Sequence, residues 1–253
     1  MKMESISKKV GNVMAKKQRL DKILSNLGYG SRAEIKRDCK KGLVSVNGKT
    51  EKNPGLQVDT DKDVVVFNGE TIEYKEFIYL MLNKPDGYIS ATFDKYDPIV
   101  LDLIDSKFLA FDPFPVGRLD KDTEGLLVLT NDGKLTHRVL SPKGHVPKTY
   151  FAKIDGFVDE TDIKAFKEGV ELDDGYKTMP ANLRIIESGE TSEIELTIHE
   201  GKFHQVKRMF ESVGKKVTYL KRLSMGRLYL DENLNLGEYR ELTDEEIRLI
   251  EER

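Results

Sequence analysis

The sequence predicts an α+β protein in two parts, a small helix-helix-hairpin module at the N-terminus followed by a larger domain on a mixed, mainly antiparallel sheet. Three observations carry that expectation. At 253 residues the chain exceeds one average domain and falls short of two large ones. Between residues 77 and 253 strand-like runs outnumber helical ones and hairpin turns recur, which favours an antiparallel sheet over alternating βαβ units. The charge is also split. Residues 1–49 carry ten Lys and three Arg against two Asp and two Glu, a balance of +9, so residues 50–253 hold −12 within a net charge of −3. A basic head on an acidic body concentrates contact with polyanions in the first module.

Composition excludes several classes. Apolar residues at 38% and charged residues at 34% are enough for a packed core and argue against a disordered chain. No run of about 18 apolar residues exists, and the opening "MKMESISKKVGNVMAKKQRLDK" lacks the apolar stretch of a signal peptide, so a cytoplasmic protein without a membrane partner is expected. Cys39, the single cysteine, allows no internal disulfide. His137, His145, His199 and His204 form no metal-ligand spacing with it, so no metal is expected.

Element by element, residues 1–17 show no periodicity and several lysines, and read as a disordered basic arm in which Met14 is an alternative start. Leu20, Ile23, Leu24 and Leu27 then follow the spacing of one helix face, and Gly28 ends that helix. Ser31 with Glu34 forms a capping-box pattern for a second helix ending near Gly42, with Arg32, Lys36, Arg37, Lys40 and Lys41 on its exposed side. Val44 and Val46 alternate as in a strand, Asn47-Gly48 turns the chain, and "DVVVF" at 63–67 is a further strand. The module therefore spans 18–68, with a polar linker at 69–76.

The second domain, 77–253, opens with "FIYLMLNKPDGYIS", a buried strand stopped by Pro85 and Gly87. After "GRLDKDTEGLLVLTNDG" come a strand at 148–156, a helix at 159–170, two strands around a Gly turn at 181–201 and a helix at 204–214. The strands of "KVTYLKRLSMGRLYL" follow, and Thr243 with Glu246 caps a terminal helix.

The chemistry centres on Asp120, which stands shortly before the apolar run Leu126–Leu129. A carboxylate beside apolar segments is driven toward protonation unless a cation or several donors hold it ionised. Gly117 and Gly125 supply tight turns around it, with Arg118 two residues before it and Thr123 as a local hydroxyl. Asp122, Glu124 and Asp132 read as solvated residues or local caps, and no second catalytic carboxylate is apparent.

Two resemblances sharpen this. The stretch "RLDKILSNLGYGSRAEIKRDCKKGLVSVNGK" resembles the S4 RNA-binding domain over about 50 residues. That likeness implies that the basic helix and its turn lie against RNA backbone, and names Arg19, Lys22, Ser31, Arg32, Arg37 and Lys41 as phosphate contacts. The string "GRLDKDTEGLLVLTNDG" resembles the catalytic motif of RNA pseudouridine synthases, and "YLMLNKPDGY", "HVPKTYFAKI" and "EGKFHQVKRMF" match the same family in the same order. Within it the branch of A-type synthases that modify small-subunit ribosomal RNA matches best, including "SPKGHVPKTY" and "LGEYRELTDEEI", although the sister large-subunit enzymes share the S4 domain and the Asp loop.

The resemblance implies isomerisation of a uridine in small-subunit (16S) ribosomal RNA. The N1–C1′ bond breaks, the base turns and C5 bonds to C1′, and no external cofactor is needed because no atoms or electrons enter or leave. Asp120 matches the essential aspartate, as a nucleophile toward sugar or base or as a base removing a sugar proton. Tyr150 matches the active-site tyrosine, stacking on uracil first and relaying a proton second. Lys207 matches the basic partner of the aspartate, a point charge where cousins carry Arg, and Arg208 is the alternative partner. On a helix the two point about 100° apart, so both cannot face Asp120 equally. Arg118 and Leu119 either fill the space left by the extruded base or pack the loop. His204 and Gln205 read as helix-start residues that shape the pocket or contact backbone.

The partner implied is ribosomal RNA within an assembling small ribosomal particle, and the S4 module on a linker suggests a monomer that clamps it. Two other classes remain to be weighed. A non-catalytic RNA-binding assembly factor with this fold would be expected to have lost part of the set Asp120, Tyr150 and Lys207. A hydrolase using Asp120 would want a second carboxylate or a histidine at a defined site.

Overall fold

The computed structural model describes residues 17–72, 74–141 and 144–252, and the chain divides into two compact units between Glu76 and Phe77. The basic arm expected over 1–17 lies outside the described residues, except for Lys17. That residue is not part of a free arm, since it opens β1 (Lys17–Arg19).

In the first unit β1 is followed by α1 (Leu20–Asn26), α2 (Arg32–Lys41), β2 (Val44–Val46), β3 (Lys49–Thr50), β4 (Gln57–Asp59), β5 (Val65–Phe67) and β6 (Glu70–Ile72). Strands β3, β2, β5 and β6 make an antiparallel sheet in that order, and β1 pairs with β4. The predicted helical face is the observed one, because Leu20, Ile23 and Leu24 are fully buried with Ile35, Cys39 and Val44. Cys39 serves there as a small core residue, and burial pushes its thiol pKa up.

The linker reading of 69–76 is corrected by β6. Asn68 and Gly69 have φ of 50° and 88°, as Asn47 and Gly48 have 52° and 76°. Both pairs are the left-handed turn that joins two strands with a matching twist. The second Asn-Gly was a readable hairpin signal, but the polar strand behind it buries only Ile72.

The second unit contains β7 (Tyr79–Lys84), a 3₁₀ turn (Val100–Leu103), α3 (Ser106–Leu109), β8 (Phe114–Pro115), β9 (Glu124–Thr130) and α4 (Gly133–Leu140). It continues through β10 (Lys148–Asp155), α5 (Glu160–Glu168), β11 (Asn182–Glu187), β12 (Thr191–Ile198) and α6 (Gln205–Ser212). It ends with β13 (Lys216–Met225), β14 (Leu228–Tyr229), β15 (Tyr239–Glu241) and α7 (Asp244–Leu249). The sheet runs β11-β12-β10-β13-β9-β7-β15, with β14 on β13 and β8 on β9. The α+β fold with a mixed, mainly antiparallel sheet is therefore observed.

Apolar patterning follows from which faces are covered. Leu80, Leu82, Leu127 and Leu129 enter one core with Phe166 of α5 and Phe210 of α6, whose rings meet edge-on at 4.9 Å. The intervening Met81, Leu126 and Val128 enter a second core with Leu135 and Val139 of α4. Strands β7 and β9 are thus covered on both faces, which requires the unbroken apolar runs in their sequences. Strand β10 alternates instead, with Tyr150, Ala152 and Ile154 buried and Lys153 and Asp155 exposed.

The one parallel contact among these paired strands is β13 with β9, through only Lys221 opposite Glu124 and Arg222 opposite Gly125. Gly125 has φ of 99°, and a Cβ there would lie 2.3 Å from the Arg222 carbonyl oxygen. Glycine is therefore required for the two strands to join where β9 leaves the Asp120 loop. Among the described residues no helix is long and apolar enough to cross a membrane, and no group of three or more His, Cys, Asp or Glu is placed to hold a metal.

Candidate active site

Asp120 stands on the loop ahead of β9, and that loop is fixed by its backbone rather than by its side chains. Lys84, at the end of β7, is fully buried and donates from Nζ to the carbonyls of Pro85 at 3.0 Å, Lys121 at 3.0 Å and Thr123 at 2.8 Å. On the other flank Ser90 Oγ donates to the Leu119 carbonyl at 2.9 Å and accepts from Leu119 N–H at 3.0 Å. The backbone is thus tied immediately before and after Asp120. Sequence reasoning had assigned no role to Lys84 or Ser90, because neither tie can be inferred from spacing along the chain.

Burial pulls the Lys84 pKa down to about 8, with Asp86, Asp122 and Asp120 opposing the shift. Its folded pKa lies below the ordinary lysine value, so between these two values the unfolded chain binds more protons and Lys84 makes stability rise with pH. Lys84→Met should flatten that rise in denaturant unfolding at pH 7.5 and 9.5. It should also cost about 1–3 kcal/mol, from the carbonyls left without a donor. An unchanged slope would remove Lys84 from this role.

Across from Asp120 lies α6. Its N-terminal flank, His204, has φ of 49°, and its ring stacks on exposed Phe203 at 3.7 Å between centroids. Lys207, one turn into the helix, places Nζ 3.2 Å from Asp120 Oδ2 and 2.6 Å from Asp122 Oδ1. His204 Nε2 is 3.6 Å from Asp120 Oδ1. Burial lowers the Lys207 pKa, but its hydrogen bonds to Asp122 and Asp120 outweigh that, and the net shift is upward. Asp122 is exposed, as the sequence suggested, and also shares the Lys207 ammonium. Its own pKa is raised by burial but lowered more by Lys207, for a net downward shift.

The other expected residues separate clearly. Tyr150 is buried on β10 and lines the same cleft of about 750 Å³ as Asp120, Arg118 and Lys207, a volume suited to a nucleoside-sized ligand. Leu119 lines it too, but is 5% exposed and packed in the main core, so its side chain packs the loop rather than projecting as a space-filler. Arg118 remains exposed. Arg208 turns away from Asp120, with Nε 2.6 Å from Asp173 and Nη2 2.7 Å from Asp174, as the helical offset requires. Gln205 is a helix-start residue as expected, its amide donating to Glu200 at 2.8 Å. Asp132 caps α4 by accepting from Lys134 and Leu135 N–H.

In the first unit Lys22, Arg32, Arg37 and Lys41 are exposed. Arg37 and Lys41 reach only loosely to Glu34 at 3.6 Å and Asp38 at 3.4 Å. Arg19 is held by Asp21 through contacts of 3.0 and 2.7 Å. Ser31 Oγ donates to Glu34 Oε2 at 2.7 Å and accepts from Glu34 N–H, so the hydroxyl expected to contact phosphate is already engaged as a helix cap.

Residues 78–212 match the RNA pseudouridylate synthase family, and residues 18–65 match the S4 domain. An RNA pseudouridine synthase of Bacillus subtilis is 54% identical, covering 92% of this chain and 98% of its own. The ribosomal large subunit pseudouridine synthase B of B. subtilis is 40% identical over 91% of this chain and 94% of its own. The ribosomal small subunit pseudouridine synthase A of Yersinia pestis is 40% identical over 90% and 96%. A crystal structure of a pseudouridylate synthase superposes with a TM-score of 0.65 at 38% identity, over 92% of this chain and 99% of that one. With an aspartate and a lysine meeting across a nucleoside-sized cleft, and with matches that run through both units, the chain belongs to the RNA pseudouridylate synthase family.

Proposed function

We propose that the protein isomerises one uridine of small-subunit ribosomal RNA to pseudouridine, with Asp120, Tyr150 and Lys207 as the catalytic set. The observation that carries this reading is the meeting of Asp120 and Lys207 at 3.2 Å across the cleft that Tyr150 also lines. In the reaction the N1–C1′ bond breaks, C5 bonds to C1′, the C5 proton leaves and N1 takes up a proton. Substrate and product are isomers, so no cofactor is consumed. Asp120, paired with Lys207, acts on the sugar or the base, and Tyr150 stacks on the extruded ring. Arg118, exposed at the cleft, fills the gap left in the RNA and offsets part of the extrusion cost of a few kcal/mol.

The exposed basic face of α2 supplies affinity for RNA backbone that weakens with salt. The protein works as a monomer in the cytoplasm on an assembling small ribosomal particle. Identity alone does not separate the two ribosomal branches, since relatives named for each are 40% identical. The small-subunit reading draws on the "SPKGHVPKTY" and "LGEYRELTDEEI" segments.

The test is carbodiimide mapping of pseudouridine in ribosomal RNA from cells lacking the protein, complemented with wild type or Asp120→Asn. Loss of a single small-subunit site, restored by wild type alone, is expected. Loss of a large-subunit site would move the protein to the sister branch, and an unchanged map would leave RNA binding without catalysis.

A further inference from the structure

We propose that Lys148 and Arg222 form a buried anion-binding site in the wall of the cleft, which takes a phosphate group adjoining the target uridine. The inference rests on the RNA-modifying reading above and adds a subsite to it. Lys148 opens β10 and Arg222 lies on β13, where it pairs with Tyr150 across the two strands. Lys148 and Tyr150 are two residues apart on one strand face, so both cations flank the tyrosine. They are 8% and 2% exposed, and both line the cleft that holds Asp120.

Among the described residues neither charge is matched. Arg222 Nε donates to the Leu126 carbonyl at 2.7 Å, but its Nη2 is buried with no hydrogen-bond partner among them. Among the described residues Lys148 has no side-chain hydrogen bond or ion pair. The two carboxylates lining the cleft, Asp120 and Asp122, are both taken by Lys207. Burial lowers the Lys148 pKa to about 8, and the Arg222 charge lowers it further.

Two buried like charges without a counterion destabilise the free protein, and an arriving anion would relieve that through charge-assisted hydrogen bonds. Each internal uridine of an RNA brings such anions, one phosphate on its 5′ side and one on its 3′ side. The uracil carbonyls are neutral and satisfy one donor without balancing the charge. A planar guanidinium with a free Nη2 beside an ammonium suits the several oxygens of a phosphate.

The test measures binding of uridine, uridine 5′-monophosphate and uridine 3′-monophosphate to the full-length protein by calorimetry, for wild type, Lys148→Met and Lys148→Arg. One of the two nucleotides should bind wild type about tenfold or more tightly than uridine, the scale of a charge-assisted contact. Which one it is identifies the side of the phosphate. Lys148→Met should lose that excess while keeping affinity for uridine, and Lys148→Arg should restore it. Equal binding of all three ligands to wild type, or an excess that survives in Lys148→Met, overturns the proposal.

Should Lys148→Met fail to fold, competition on wild type decides. Inorganic phosphate should displace the favoured nucleotide but not uridine, whereas chloride at equal ionic strength should displace neither. If phosphate displaces nothing, the proposal falls. Isomerisation of a ribosomal RNA fragment by the same wild-type preparation separates the two readings. Activity without any nucleotide excess rejects the phosphate site alone, and absence of activity rejects the synthase reading whatever the nucleotides do.

Discussion

Asp120→Asn should leave the protein folded and reduce pseudouridine formation by ~10⁴-fold or more, the scale reached when a nucleophile or its equivalent is removed. Asparagine keeps the shape of the side chain and removes the charge. The loop should hold its course, because its ties run from Lys84 to the Lys121 and Thr123 carbonyls and from Ser90 to Leu119, and none involves the Asp120 carboxylate. That carboxylate is 26% exposed and pairs with Lys207, so loss of the pair should cost at most about 1 kcal/mol of stability. Thermal melts should therefore nearly coincide while release of the C5 hydrogen, followed as tritium from labelled RNA, disappears. A variant that melts with wild type and still releases tritium at the wild-type rate would move the chemistry to another residue.

Lys207→Met should follow, with kcat lower by about 10²–10³-fold, as for loss of one preorganised charge contact in a site. The Lys207 ammonium lies between two carboxylates, 3.2 Å from Asp120 and 2.6 Å from Asp122, and methionine leaves both without a cation. Lys207→Arg should recover part of the loss, since charge is retained but a planar fork replaces a compact ammonium. Asp122→Asn should keep activity, because it removes the competitor for Lys207 and leaves the Asp120 pair. Loss of activity in Asp122→Asn as deep as in Asp120→Asn would reverse the assignment of the two carboxylates.

The pH behaviour of Lys207 should be opposite in sign to that of Lys84. The folded pKa of Lys207 is raised, so its ion pairs add stability that is fully present below the ordinary lysine value of about 10.4 and lost as pH climbs through the higher folded value. Deprotonation of Lys207 should therefore leave the rate unaffected on the alkaline side below that range. An alkaline limb below about pH 10 that disappears in Lys207→Met would contradict the upward shift.

Local sequence patterns determined a large part of this protein. The α1 face, the Ser31 capping box, the Asn47-Gly48 hairpin and the runs of β7 and β9 were legible, because each depends on neighbours within a turn or a strand and on which faces are covered. The ordered strings around Asp120, Tyr150 and Lys207 carried the family in the same way. Strand β6 was passed over despite its Asn68-Gly69 signal, since a short polar strand with one buried residue resembles a linker.

What only the tertiary structure decided are relations between distant segments. Asp122 and Asp120 are two residues apart, yet both meet one lysine 85 and 87 positions further along the chain, and no periodicity encodes that sharing. The packing of Leu119, the diversion of Arg208 to Asp173 and Asp174, and the ties from Lys84 likewise depend on where separate strands and loops meet. Lys148 and Arg222 read along the chain as ordinary basic residues. Their meaning arises because β10 and β13 pair within a cleft, where burial removes water from both charges and leaves Arg222 Nη2 with no partner among the described residues. Desolvation is a property of the assembled fold, and a one-dimensional pattern does not contain it.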